Sequence, residues 1–136
     1  MDGSDNQPPI LTNEHFAATV RAEVARSRRY GHPFAVFVLR PPAGPALSES
    51  LAAEQVSENL SALLTSGLVR ECDFVSVLED ERAIGVMLPE TGVAGAGALV
   101  ERLLAAISHP EHEWSFDLFV YPEHQDEIAE LAKKAA

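Results

Sequence analysis

The apolar positions of this chain alternate between helical and strand spacing. From Asn13 onward, Phe16, Ala17, Val20 and Val24 recur on one helical face, with Arg21, Glu23, Arg26, Arg28 and Arg29 largely off it. Tyr30-Gly31-His32-Pro33 ends this predicted helix, because glycine suits a left-handed cap and proline cannot continue. Phe34 to Leu39 is an unbroken apolar run of strand length, the pattern of a buried central strand. Arg40-Pro41-Pro42-Ala43-Gly44-Pro45 stops it. Ser48 or Ser50 can cap a second helix, whose face is Leu51, Val56, Leu60, Leu63 and Leu64 and which closes near Gly67.

Two strands are predicted next, about 73–78 and 83–88. The four charged residues between them, Glu79-Asp80-Glu81-Arg82, make the pair a hairpin. Thr91 opens a helix carrying Leu99, Val100, Leu103, Leu104 and Ile107. After the polar stretch from His109 to Glu113, Trp114 to Tyr121 is a fourth strand, and Ile128, Leu131, Ala132 and Ala135 mark a closing helix. The order is helix, β-α-β-β-α-β, helix. It predicts an α+β fold: a four-stranded, ferredoxin-like antiparallel sheet with helices on one face. Residues 1–10 are polar, with Gly3 and Pro8-Pro9, and read as a disordered arm. That leaves 11–136 as one folded domain, a length that a single core can support.

Composition narrows the function. The net charge of −11 argues against nucleic acid and against anionic membrane surfaces as partners, since both call for a basic face. No stretch approaches the ~20 apolar residues of a membrane span, and the first residues lack a basic-then-apolar signal pattern. A lone cysteine, Cys72, forms no internal disulfide and reads as a small buried hydrophobe. The expected compartment is the cytoplasm.

Several polar groupings carry no defensible chemistry. Arg26, Arg28 and Arg29 fit a solvated helix end whose charges suit the C-terminal dipole better than an anion site. His109, His112 and His124 with Glu111 and Glu113 match no zinc spacing. Ser57 and Ser115 have no base partner in a recognised pattern. Trp114, Phe116, Phe119 and Tyr121 are most economically strand core and rim.

Taken in order, some segments nonetheless form a family pattern. Leu11-Thr12 with Asn13 and Phe16 is similar to a shortened LTGLxNRRxF opening. Glu23-Val24-Ala25-Arg26, then Arg28-Arg29-Tyr30-Gly31 and Pro33, resembles an ElxRarRxgxpl segment. Arg70-Glu71-Cys72-Asp73, an apolar run, Glu79 to Arg82, a second apolar run and Leu88-Pro89-Glu90-Thr91 resemble RxxD, a GGDEF turn and LPxT. Ala96, Glu101 and Arg102 follow as in the helix after LPxT, and Val120-Tyr121-Pro122 is similar to the last strand and its exit. The chain from about Leu11 to Ala135 thus resembles the GGDEF (diguanylate cyclase) family, which implies a cyclase-palm sheet.

The departures from that pattern bear on activity. Cyclases of the family hold divalent metal with a carboxylate at the end of the first strand and another in the turn, as hard cations require. Here Arg40-Pro41-Pro42 stands where the family has DxD. The turn has lost both glycines, whose missing side chains let backbone approach phosphate. It is also one residue longer between its flanking motifs, so either Glu81 or Arg82 falls in the acidic slot. FKxIND and GHxxGD are unrecognisable between Pro41 and Gln55, and the ending is reduced to Leu131-Ala132-Lys133-Lys134. The resemblance therefore implies a degenerate, non-enzymatic signalling domain, with no cofactor and no metal.

RxxD survives. In active relatives it is an inhibitory cyclic di-GMP site, so the resemblance assigns Arg70 and Asp73 to that ligand, with Arg102 joining from the helix after LPxT. An arginine fork pairs with guanine O6 and N7 or with phosphate, and a carboxylate accepts from guanine N–H groups. On the residues alone, Arg70 is a helix-end cation paired with Asp73. The alternative function is a ligand-independent module for a protein partner or homodimer, docking through the former active-site face of Arg40, Glu79 to Arg82 and the prolines.

Overall fold

Thr12 starts the first helix: its hydroxyl accepts from the His15 N–H at 3.2 Å, a standard N-cap arrangement. Helix α1 runs Asn13–Tyr30, with Glu14 in its first turn and Arg28 and Arg29 in its last, each suiting the dipole. Gly31 closes it at φ 75, donating its N–H to the Ser27 carbonyl at 2.8 Å. A side chain is strained in that left-handed conformation, so the Gly31-His32-Pro33 stop acts as expected.

The structure is a computed structural model and describes residues 10–40, 49–65, 69, 73–78, 83–106 and 115–135. Besides α1, its elements are β1 (Ile10–Leu11), β2 (Phe34–Arg40), α2 (Glu49–Thr65), β3 (Phe74–Leu78), β4 (Ala83–Pro89), α3 (Val93–Ala106), β5 (Ser115–Tyr121) and α4 (Gln125–Ala135). The strands form one sheet in the order β1-β3-β4-β2-β5. β2 pairs antiparallel with β4 and β5, and β3 pairs antiparallel with β4, giving the predicted β-α-β-β-α-β palm. β2 is its central strand, and Phe34 to Leu39 are wholly buried.

Three expectations need correction. The helices do not lie on one face only. Ala35, Phe37 and Leu39 pack with Val56 and Leu63 of α2 and with Val100 and Leu103 of α3. Phe34, Val36 and Val38 pack instead with Phe16 and Val20 of α1 and Ile128 and Leu131 of α4. A strand apolar on both faces needs cover on both, and the flanking helices supply the second layer. The sheet also gains a fifth strand, because Ile10 and Leu11 run parallel to β3 opposite Val75 and Ser76. The Ser76 hydroxyl fixes this strand by donating to the Leu11 carbonyl at 2.7 Å. Ile10 is therefore sheet rather than arm; the rest of that segment lies outside the described residues.

Finally, α3 begins at Val93, not Thr91. The Gly92 carbonyl accepts from Ala96 N–H at 2.9 Å, while the Thr91 hydroxyl donates back to the Pro89 carbonyl. Ser50 lies inside α2; Ser48, Cys72 and Trp114 lie outside the described residues.

Candidate functional site

At one end of the sheet, β2 finishes in Arg40. Arg40 pairs in register with Ser115, one pleat from Asp117, which sits opposite Val38. Strand alternation puts Arg40 and Asp117 on the α1–α4 face, and the Arg40 Nη1 donates to the Asp117 carboxylate. Their side chains are 31% and 50% exposed, so the pair contributes at most ~1 kcal/mol of stability. What matters is chemistry. A guanidinium is a donor with no lone pair for a cation, and it engages the acid beside it, so this strand end does not fit a divalent metal. Sequence reasoning reached Arg40 and missed Asp117, which only the β2–β5 register reveals. Glu79 to Arg82 lie outside the described residues.

Of the RxxD residues, Asp73 lies toward the opposite end. Asp73, just before β3, is wholly buried and already engaged within the fold. Arg70 lies outside the described residues. Arg102 is exposed on α3, a helix that contacts α2, β2 and β5. Asp73 instead adjoins β3, across β4 from β2. Phe74 pairs with Met87 near the end of β4 from which the chain enters α3, whereas Arg102 lies roughly 13 Å along α3 from Val93.

A third polar group was not anticipated. Glu23, nearly buried, takes both ends of the Arg26 fork, at 3.2 and 3.3 Å. That hydrogen bonding, then the Glu23 charge, holds the Arg26 guanidinium above its ordinary range, with smaller support from Glu90 and Tyr30 against slight desolvation. Glu90, at φ 55 in the turn after β4, meets His32 Nδ1 at 2.9 Å. Arg28 and Arg29 are exposed, and Arg29 lies over the Tyr30 ring, so the solvated helix end is what the fold contains. Of the histidines weighed against metal, His124 accepts the Val120 N–H on Nδ1 at 2.9 Å and caps α4; His109 and His112 lie outside the described residues.

The palm-like sheet covered on both faces defines an α+β class, and known structures narrow it. A DGC protein from Thermotoga maritima superposes with a TM-score of 0.74 at 17% identity, over 94% of this chain and 97% of that one. The GGDEF domain of YfiN (TpbB) from Pseudomonas aeruginosa gives 0.68 at 19% identity, over 94% and 85%. Diguanylate cyclase SiaD from Pseudomonas aeruginosa, solved with its activator SiaC, gives 0.64 at 17%, over 94% of this chain but only 55% of SiaD. The chain has the fold of diguanylate cyclase GGDEF domains. No protein-family model matches its sequence, and no curated protein does. Among the described residues no helix is long and apolar enough to cross a membrane.

Proposed function

We propose that this chain is a non-catalytic, cytoplasmic signalling domain of the GGDEF fold, and that it binds cyclic di-GMP through Arg70. The observation that carries the non-catalytic half is Arg40 joined to Asp117 at the end of β2, where the fold's cyclases are expected to hold metal. A guanidinium there repels the ion that would activate the attacking hydroxyl. Incubation with GTP and magnesium is expected to yield no cyclic di-GMP by chromatography; product formation that follows protein concentration would remove this half.

The binding half rests on the fold together with Arg70 and Asp73 in an RxxD motif. Isothermal titration with cyclic di-GMP is expected to show saturable heat. Arg70→Ala is expected to weaken binding about tenfold to a hundredfold, the loss of one charge-assisted fork. Binding unchanged in Arg70→Ala, or no heat at any ligand concentration, rejects it. Asp73 is a secondary partner, since it is wholly buried and must become accessible before a guanine can reach it. Arg102 joins only from α3.

That burial favours a second reading: a module that docks a protein through the former active-site face, independent of ligand. On this reading charge reversal at Glu79 to Glu81 abolishes partner capture and Arg70→Ala leaves it intact. The opposite pattern excludes it.

A further inference from the structure

The two helices that share the second face of the sheet carry opposite charge. α1 exposes Arg21, Arg28 and Arg29; α4 exposes Asp126, Glu127 and Glu130. Four of the chain's ten lysines and arginines fall within residues 21–29, in a protein of net charge −11. The positive stripe therefore runs against the trend of the whole surface. Among the described residues no ion pair joins the two helices: Arg26 pairs with Glu23, His32 with Glu90 and Arg40 with Asp117.

Topology sets the register of these stripes. Phe34 pairs with Tyr121, α1 ends just before the first and α4 begins just after the second. The helices are therefore antiparallel, and the arginine-bearing last turn of α1 lies at the same end of the sheet as the acidic first turn of α4. A two-fold axis running along the helices lays α1 of one copy over α4 of the other, and the reverse, without changing their level. Arg28 and Arg29 then meet Asp126 and Glu127 of the second copy, twice over. Farther along, Arg21 and Lys133 fall at similar levels, roughly 13 Å and 12 Å from that end, so the complementarity is concentrated in the two shared turns.

Packing permits the approach. Between the arginines, α1 exposes Ala18, Ala22 and Ala25, small enough for a facing helix to come within about 8–10 Å. The 18 residues of α1 make about 27 Å and the 11 of α4 about 17 Å; at a width of about 10 Å each, the face offers roughly 440 Å² per copy. That is below the ~800 Å² per partner of a standard stable interface, which predicts a weak dimer.

We propose that the α1–α4 face is an isologous homodimer interface whose occupant is a second copy of this chain. It uses neither Arg70 nor the former active-site face and does not rest on cyclic di-GMP binding. Sedimentation velocity at high micromolar concentration and low ionic strength is expected to show a monomer–dimer equilibrium. Arg28→Glu with Arg29→Glu should weaken it about tenfold or more, because four like-signed contacts replace four attractive ones. Asp126→Arg with Glu127→Arg should do the same. Mixing the two doubly substituted proteins should restore association, because each variant's face then complements the other's. Far-UV circular dichroism checks that both variants fold. A wild-type protein that stays monomeric, a dimer indifferent to both reversals, or a mixture that fails to associate overturns the proposal.

Discussion

Phe37→Ala is expected to cost about 3–5 kcal/mol, a large share of the ~5–15 kcal/mol that holds a domain of this size. Phe37 is wholly buried at the middle of the central strand, between Val86 of β4 and Leu118 of β5. Its ring faces the α2–α3 layer and meets Phe116 at 5.7 Å between centroids. Truncation removes the transfer energy of a phenyl ring and leaves a cavity that neighbouring strands, locked in register on both sides, cannot close. Phe116 is the control. It is 42% exposed on the edge strand, so Phe116→Ala should cost only ~1 kcal/mol. Urea unfolding followed by far-UV circular dichroism measures both; equal losses would mean that β2 is not the core strand described above.

The same strand shows what was legible in the sequence. Six consecutive apolar residues from Phe34 announced burial on both faces, and the hairpin, the helical faces and the Gly31 cap followed from local chemistry. That run also required a second helical layer, because Val36 and Val38 would otherwise meet water. The ferredoxin-like pattern, with its helices on one side, obscured that requirement. Ile10 and Leu11 were not legible as a strand. Two residues have no period, and their pairing depends on Ser76, far along the chain.

The site was less legible than the fold. Arg40 could be placed at a strand end by its position before Pro41-Pro42. Its partner Asp117 depends on the register between β2 and β5, and strand register is a tertiary property that local sequence does not encode. The burial of Asp73 was hidden for a similar reason. Local sequence marks Asp73 only as a polar residue at a strand entrance and carries no record of what covers it in the fold. Glu23 was marked as lying off the apolar face, yet its carboxylate turns inward to hold Arg26.

Gly85 gives a test in which two physical effects predict opposite signs. It sits in β4 opposite Val38 and Ser76, well inside the sheet, where β-propensity alone favours valine over glycine by ~1 kcal/mol. Space decides otherwise. A Cβ at this position would stand 2.6 Å from Leu78 Cδ1 and 3.2 Å from both Leu78 Cγ and Phe16 Cζ. Leu78 and Phe16 are both almost fully buried in the α1–α4 layer, so neither has open space to move into. Gly85→Val is therefore expected to destabilise by about 3 kcal/mol or more, and Gly85→Ala by ~1–3 kcal/mol. A double-mutant cycle isolates the cause. Leu78→Ala removes the two nearest atoms, so adding Gly85→Ala to it should cost at least ~1 kcal/mol less than Gly85→Ala costs alone. If the two losses simply add, close contact with Leu78 is not why this position is glycine. A Gly85→Val protein more stable than wild type would show that α1 does not press on the sheet through Phe16.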